Sequence, residues 1–262
     1  MNNKHTIVKI LAAVTYVIMV VVNGLANALP INNRSTGAIS DAYPNLFAPA
    51  GIAFSIWGLI YLLLAGYTLY QFGLFQNDKG KGRIELFKKV SLYFIISSLA
   101  NIAWIFAWHY DFIGLSVLIM GVILFSLIKI ANVLNKEKLS PKEEAFVRVP
   151  FSVYFGWITV AAIANITVFL VSVNWNGFGV SDQIWTIVVL LTGLLIGAIR
   201  MQKDKSVAYG LVLVWAYAGI LLKHLSANGF AGQYQGVIIT TGLCILGFLI
   251  SLIAVVRKNK KL

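Results

Sequence analysis

"VPFSVYFGWITVAAIANITVFLVSV", residues Val149–Val173, runs for 25 residues without one charged side chain. At about 1.5 Å of rise per residue, a helix of that length crosses the roughly 30 Å hydrocarbon layer of a bilayer. Within it Trp157, Ala161 and Asn165 recur every fourth residue, about one helical turn, and so share a face. Lipid contact alone does not call for an indole and a carboxamide set around a small methyl group. That face is built to meet something else.

Similar stretches recur on both sides. Eight are legible: Ile7–Leu29, Ile52–Phe75, Val90–His109, Phe112–Val133, Val149–Val173, Ile184–Met201, Val207–Leu222 and Tyr234–Val256. The chain is 59% hydrophobic and 11% charged, whereas a soluble domain is about a quarter charged. The expected fold is therefore all-α, a polytopic transmembrane bundle of about eight spans. Of the 21 Lys and Arg, all but Arg34 and Lys223 fall at the two ends of the chain or flank the loops after even-numbered spans. The positive-inside rule then puts both termini in the cytoplasm. It also accounts for the net charge of +12 without nucleic acid as a partner. Membrane lipid is the expected surrounding, in a bacterial cytoplasmic membrane.

The first span imitates a secretory signal, with Lys4 and Lys9, an apolar run and "ANAL" at Ala26–Leu29. Asn23 and Asn27, one turn apart, favour a retained helix packed against protein. The loop Pro30–Gly51 holds three of the five prolines, and a long, partly apolar loop of this kind tends to cover something. "QNDKGKGR" (Gln76–Arg83) contains Gly-x-Gly, but without a preceding strand it reads as a basic contact to lipid headgroups. The single Cys244 reads as a small buried apolar residue.

All nine Asp and Glu lie in loops or at span ends: Asp41, Asp111 and Asp182 on the outer side, the rest inside. Ion-coupled carriers usually place an ionisable group at mid-membrane, so a proton-driven pump is disfavoured. His109 and Lys223–His224 sit near outer span ends, where snorkelling to water is the ordinary reading. No residue set has the spacing of a metal site or of a nucleophile with its base. No catalytic residue and no required cofactor are assigned.

What remains is a set of aromatic and amide stripes. Phe54, Trp57 and Tyr61 mark the second span, Asn101, Trp104 and Trp108 the third, and Tyr154, Trp157, Ala161 and Asn165 the fifth. Singly, such residues are mostly interfacial anchors or interhelical hydrogen-bond partners. Together they carry a resemblance. "PNLFAPAGIAFSIWGLIY" (Pro44–Tyr61) resembles the signature of the TspO/MBR family, the tryptophan-rich sensory proteins, through Pro44, Pro49, Trp57, Gly58 and Tyr61. "NIAW" (Asn101–Trp104) is similar to the family's Asn-x-x-Trp, and "YFGWITVAAIAN" (Tyr154–Asn165) to its Tyr-x-x-Trp followed by Asn. Residues 1–175 carry the likeness, and 176–262 read as a three-helix membrane extension. Three departures stand out: Val153 where the family has Pro, Ala48–Pro49 for its Pro-Pro pair, and no basic residue after Tyr154 for sterol recognition. Leu213, Tyr217 and Lys223 form only a weak sterol-type pattern, and Gly193-x-x-x-Gly197 suggests close helix packing.

The resemblance implies a pocket for a flat, mostly apolar ligand such as a porphyrin or another tetrapyrrole, capped from outside by the first loop, in a sensor or regulator. Trp57 and Trp157 would be its walls and Asn165 its polar anchor. Pro49, Phe54, Tyr61, Asn101, Trp104, Tyr154 and Ala161 would complete the contacts. It also allows, without requiring, a light-dependent breakdown of porphyrin at the two tryptophans. The alternatives are a small-molecule permease or exporter, and an accessory subunit whose extra helices dock a membrane partner. A second copy of the chain is a further candidate partner.

Overall fold

The structure is a computed structural model that describes residues 3–29, 31–76 and 83–259, with backbone only for Asn3 and Lys4. Pro30 and most of the Gly-x-Gly loop therefore lie outside the described residues. The long helices are α1 (Asn3–Ala28), α3 (Ile56–Gln71), α4 (Ile84–His109), α5 (Ile113–Leu134), α7 (Val149–Ser172), α8 (Asp182–Asp204), α9 (Val207–Leu225) and α10 (Gln235–Asn259). Two short helices, α2 (Thr36–Asp41) and α6 (Pro141–Glu143), lie between them. Eight helical segments are long and apolar enough to cross a membrane, and no strand occurs among the described residues. Leu62, Leu118 and Ile250 are 70%, 70% and 68% exposed, an arrangement that water opposes and lipid tails accept.

The third span starts at Ile84, earlier than the Val90 that hydropathy suggests, whereas α7 starts at Val149 as expected, with a short helical lead-in from Pro141 ahead of it. Charged and polar residues on the first turns of a helix hide it from a hydropathy window, while capping makes it. At Ser140 the hydroxyl accepts from the Glu143 N–H and the Glu143 carboxylate accepts from the Ser140 N–H at 2.7 Å, with Pro141 in the first turn. Glu143 also holds Arg83 at 3.2 Å. A π turn at Glu144–Arg148 then leads into α7. Pro150 has no N–H to give the Phe146 carbonyl, which accounts for the irregularity there.

The backbone divides into two compact units, residues 1–36 with 57–155, and residues 37–56 with 156–262. In the first, α4 packs against both α1 and α5. Its interior is aromatic: Tyr67 meets Phe94 and Phe151 edge-on at 5.6 and 4.7 Å, and Tyr70 stacks on Phe146 at 5.5 Å. The Tyr67 hydroxyl bonds Ser91 Oγ at 2.9 Å, and Ser91 in turn donates to Gln71 at 2.9 Å. Arg34 and Asp111 form an ion pair in the same unit.

In the second unit, α10 packs against α8 and α9. Glycines permit the close crossings. A Cβ on Gly197 would lie 2.5 Å from Leu213 Cδ1, and one on Gly193 would strike the Tyr217 hydroxyl. The Gly-x-x-x-Gly spacing is thus a packing face, as expected. Gly156 similarly lets α7 approach α9, where a Cβ would meet the Tyr209 carbonyl at 2.9 Å. Cys244 is fully buried. Leu213 and Tyr217 are buried as well, and the Tyr217 hydroxyl donates to the Leu190 carbonyl at 2.9 Å. The sterol-type pattern therefore offers only Lys223 at the surface.

The histidines correct the snorkelling reading. His109 and His224 are both fully buried. His109 Nδ1 lies 2.8 Å from the Ile105 carbonyl, one turn back on its own helix. His224 Nε2 lies 2.8 Å from the Leu46 carbonyl.

Candidate functional site

Five of the expected ligand residues lie in the first unit. On α3, Trp57 and Tyr61 are one turn apart and their rings stack at 5.5 Å with 22° between planes. The Trp57 ring also meets Tyr154 edge-on, at 5.9 Å. Tyr154 and Asn101 are fully buried, and the Asn101 amide approaches the Tyr154 hydroxyl at 3.5 Å. Asn101 Oδ1 accepts from Asn23 of α1 at 2.7 Å, and the same Asn23 amide donates to the Met19 carbonyl. Asn23 thus packs against protein, whereas Asn27, one turn on, is exposed and accepts from the Thr36 N–H at 3.4 Å. Trp104 stacks on Trp108 at 5.4 Å, and the Trp108 indole donates to the Thr36 carbonyl.

Tyr61 differs from its neighbours. Tyr16 donates to its backbone carbonyl at 2.8 Å, but the Tyr61 hydroxyl is buried with no hydrogen-bond partner. A buried hydroxyl left unpaired costs about 1–3 kcal/mol, so a bound group able to hydrogen-bond would recover that.

The other five lie in the second unit. Trp157 and Asn165 are 3% and 2% exposed and Ala161 is half-buried, so the stripe on α7 does face protein. Phe54 meets the Trp157 ring edge-on at 5.7 Å with 78° between planes. Pro49 and Ala53 lie against Gly219 of α9, where a Cβ would come within 3.2 and 2.7 Å of their Cβ atoms.

That contact belongs to a larger feature. The second half of the first loop is tied to α9 by its backbone. The Ala50 N–H donates to the Gly219 carbonyl at 2.9 Å, the Trp215 indole to the Ala53 carbonyl at 3.0 Å, and His224 holds Leu46. Phe47 packs edge-on against Tyr217, and Lys223 pairs with Asp41 at 2.9 Å. Helix α9 therefore holds the second half of the first loop. Trp215, Gly219 and His224 were missed as contributors. Spacing did not mark them: Trp215 and Gly219 are one turn apart, but His224, five residues further on, falls outside that face.

Among the described residues no three His, Cys, Asp or Glu come together to hold a metal. The motif spacing agrees with one comparison. A family model described as TSPO-like protein matches residues 9–256. The chain belongs to the TSPO-like family. The match takes in all eight spans of this TSPO-like chain, the last three included. No curated protein and no solved structure matches it. As a TSPO-like protein with eight apolar helices it is a multi-pass membrane protein.

Proposed function

We propose that the chain binds a flat, mostly apolar ligand of porphyrin or related tetrapyrrole type and acts as a sensor or regulator. The observation that carries this reading is the Tyr61 hydroxyl, buried without a partner beside a ring stacked on Trp57. Planar rings stack well on indole and phenol faces, and pockets for such ligands are chiefly apolar with a few placed polar groups. In this reading Trp57 is the stacking surface, the Tyr61 hydroxyl orients a polar edge, and Asn101, Trp104 and Tyr154 support them. Both termini face the cytoplasm, and residues 176–262 serve to hold the loop against α9.

The test is quenching of tryptophan fluorescence by protoporphyrin IX in detergent. Tyr61→Phe, which removes only the unpaired hydroxyl, should weaken binding about five- to tenfold. Trp57→Leu, which removes the stacking face, should weaken it further. If both respond as the wild type does, the assignment of these residues is wrong.

A further inference from the structure

A half-open cavity of about 250 Å³ lies in the second unit, apart from the stripe residues. One wall is the loop stretch Pro44, Asn45, Leu46 and Phe47, another is the far half of α7, and the third is the start of α8. At its corner stand two indoles, Trp175 and Trp185, with ring centroids 5.1 Å apart and planes at 57°. Their placement is built in. The Trp185 indole N–H donates to the Gly177 carbonyl at 2.8 Å. Gly177 itself has φ +61°, and a Cβ there would meet the Trp185 ring at 3.1 Å. Phe178 braces Trp175 edge-on at 5.5 Å.

The polar groups on these walls are unevenly spent. Asn45 gives its amide to the Tyr43 carbonyl, Thr167 its hydroxyl to Ile163, Thr186 its hydroxyl to Asp182, and Trp185 its N–H to Gly177. Those four donors are all engaged by backbone carbonyls. Besides the Trp175 indole N–H, the walls keep on offer the π systems of two indoles and the carboxylate of Asp182, the one charged residue among the described lining residues. The two other acids at comparable loop positions are neutralised, Asp41 by Lys223 and Asp111 by Arg34. Asp182 has no ion-pair partner among the described residues. Its place in the first turn of α8 gives it the favourable helix-dipole interaction, but that does not account for the aromatic corner beside it.

We propose that this cavity is a second binding site, for a small organic cation bearing an apolar group, such as an aromatic quaternary or protonated amine. The cation sits between the Asp182 carboxylate and the indole faces, where cation–π attraction operates. Its apolar group enters the cleft of Leu46, Phe47 and Leu170. The site is independent of the stripe residues and does not rest on the porphyrin reading.

Isothermal titration of the full chain in uncharged maltoside micelles with benzyltrimethylammonium tests it. The wild type should bind saturably, and neutral benzyl alcohol should bind at least about tenfold more weakly. Asp182→Asn and Trp175→Leu should each weaken the cation about tenfold, while protoporphyrin quenching and thermal unfolding of Asp182→Asn stay at wild-type values. Asp182→Asn keeps size and shape at an exposed position, so it remains informative if a tryptophan variant fails to fold. No saturable binding to the wild type, equal binding of benzyl alcohol, or an Asp182→Asn variant that binds as wild type does would each overturn the proposal.

Discussion

Gly219 and Gly58 make opposite demands on the same kind of change. A Cβ on Gly219 would lie 2.7 Å from Ala53 Cβ and 3.2 Å from Pro49 Cβ, atoms next to the backbone that cannot swing aside. At Gly58, a residue of the family signature, a Cβ would meet nothing within 4 Å. Gly219→Ala should therefore cost about 1–3 kcal/mol of stability through overpacking. Gly58→Ala should be neutral or stabilising by up to about 1 kcal/mol, since alanine is the better helix residue. Thermal unfolding of the two variants in one detergent compares them directly. Equal melting temperatures would mean that the loop does not press on α9. The stripe at Trp157, Ala161 and Asn165 was legible from spacing alone, whereas the value of Gly219 was not. A glycine's significance depends on what its missing side chain would have touched.

Among the elements, the first loop and α9 form the most specific pairing. Three backbone groups of the loop, the Leu46 and Ala53 carbonyls and the Ala50 N–H, are met by α9. Backbone groups held this way open only when the segment lifts as a unit. Trp215→Phe removes the donor to Ala53 with little change in bulk. Hydrogen exchange at residues 50–55 should speed up about tenfold, with α5 unaffected. Unchanged exchange would show that this bond does not hold the loop. In the first unit the corresponding tie is Asn23 to Asn101 at 2.7 Å, joining α1 to α4. Interhelical amide bonds in membranes are worth about 0.6 kcal/mol, at most about 1.7. Asn101→Leu should lower stability by that order, read again from thermal unfolding.

For the molecule as a whole, the loop's location has a consequence for shortening the chain. Residues 37–56 belong to the same compact unit as 156–262, so a chain ended at residue 175 loses α9 and with it every partner just named for the loop. Limited proteolysis should cut such a chain between residues 37 and 56 where the full chain resists. Resistance in the shortened chain would mean that five spans suffice to hold the loop. The eight spans and their order were readable because a bilayer demands long apolar helices and leaves few alternatives. The beginning of α4 was misplaced because Glu85, Lys88 and Lys89 on its first turns hide it from a hydropathy window. The burial of His109 and His224 went against the sequence reading because an imidazole near a span end looks the same whether water or a carbonyl receives it.

Composition and apolar periodicity determined the number of helices, their order and the faces bearing Trp157, Ala161 and Asn165, for these depend on each segment's own exchange between lipid and protein. Tertiary structure alone decided which segments meet. The Trp215 and His224 side chains reach carbonyls 162 and 178 residues away. A carbonyl is present at every residue and carries no mark in the sequence, so only the packed chain selects the one that is bonded.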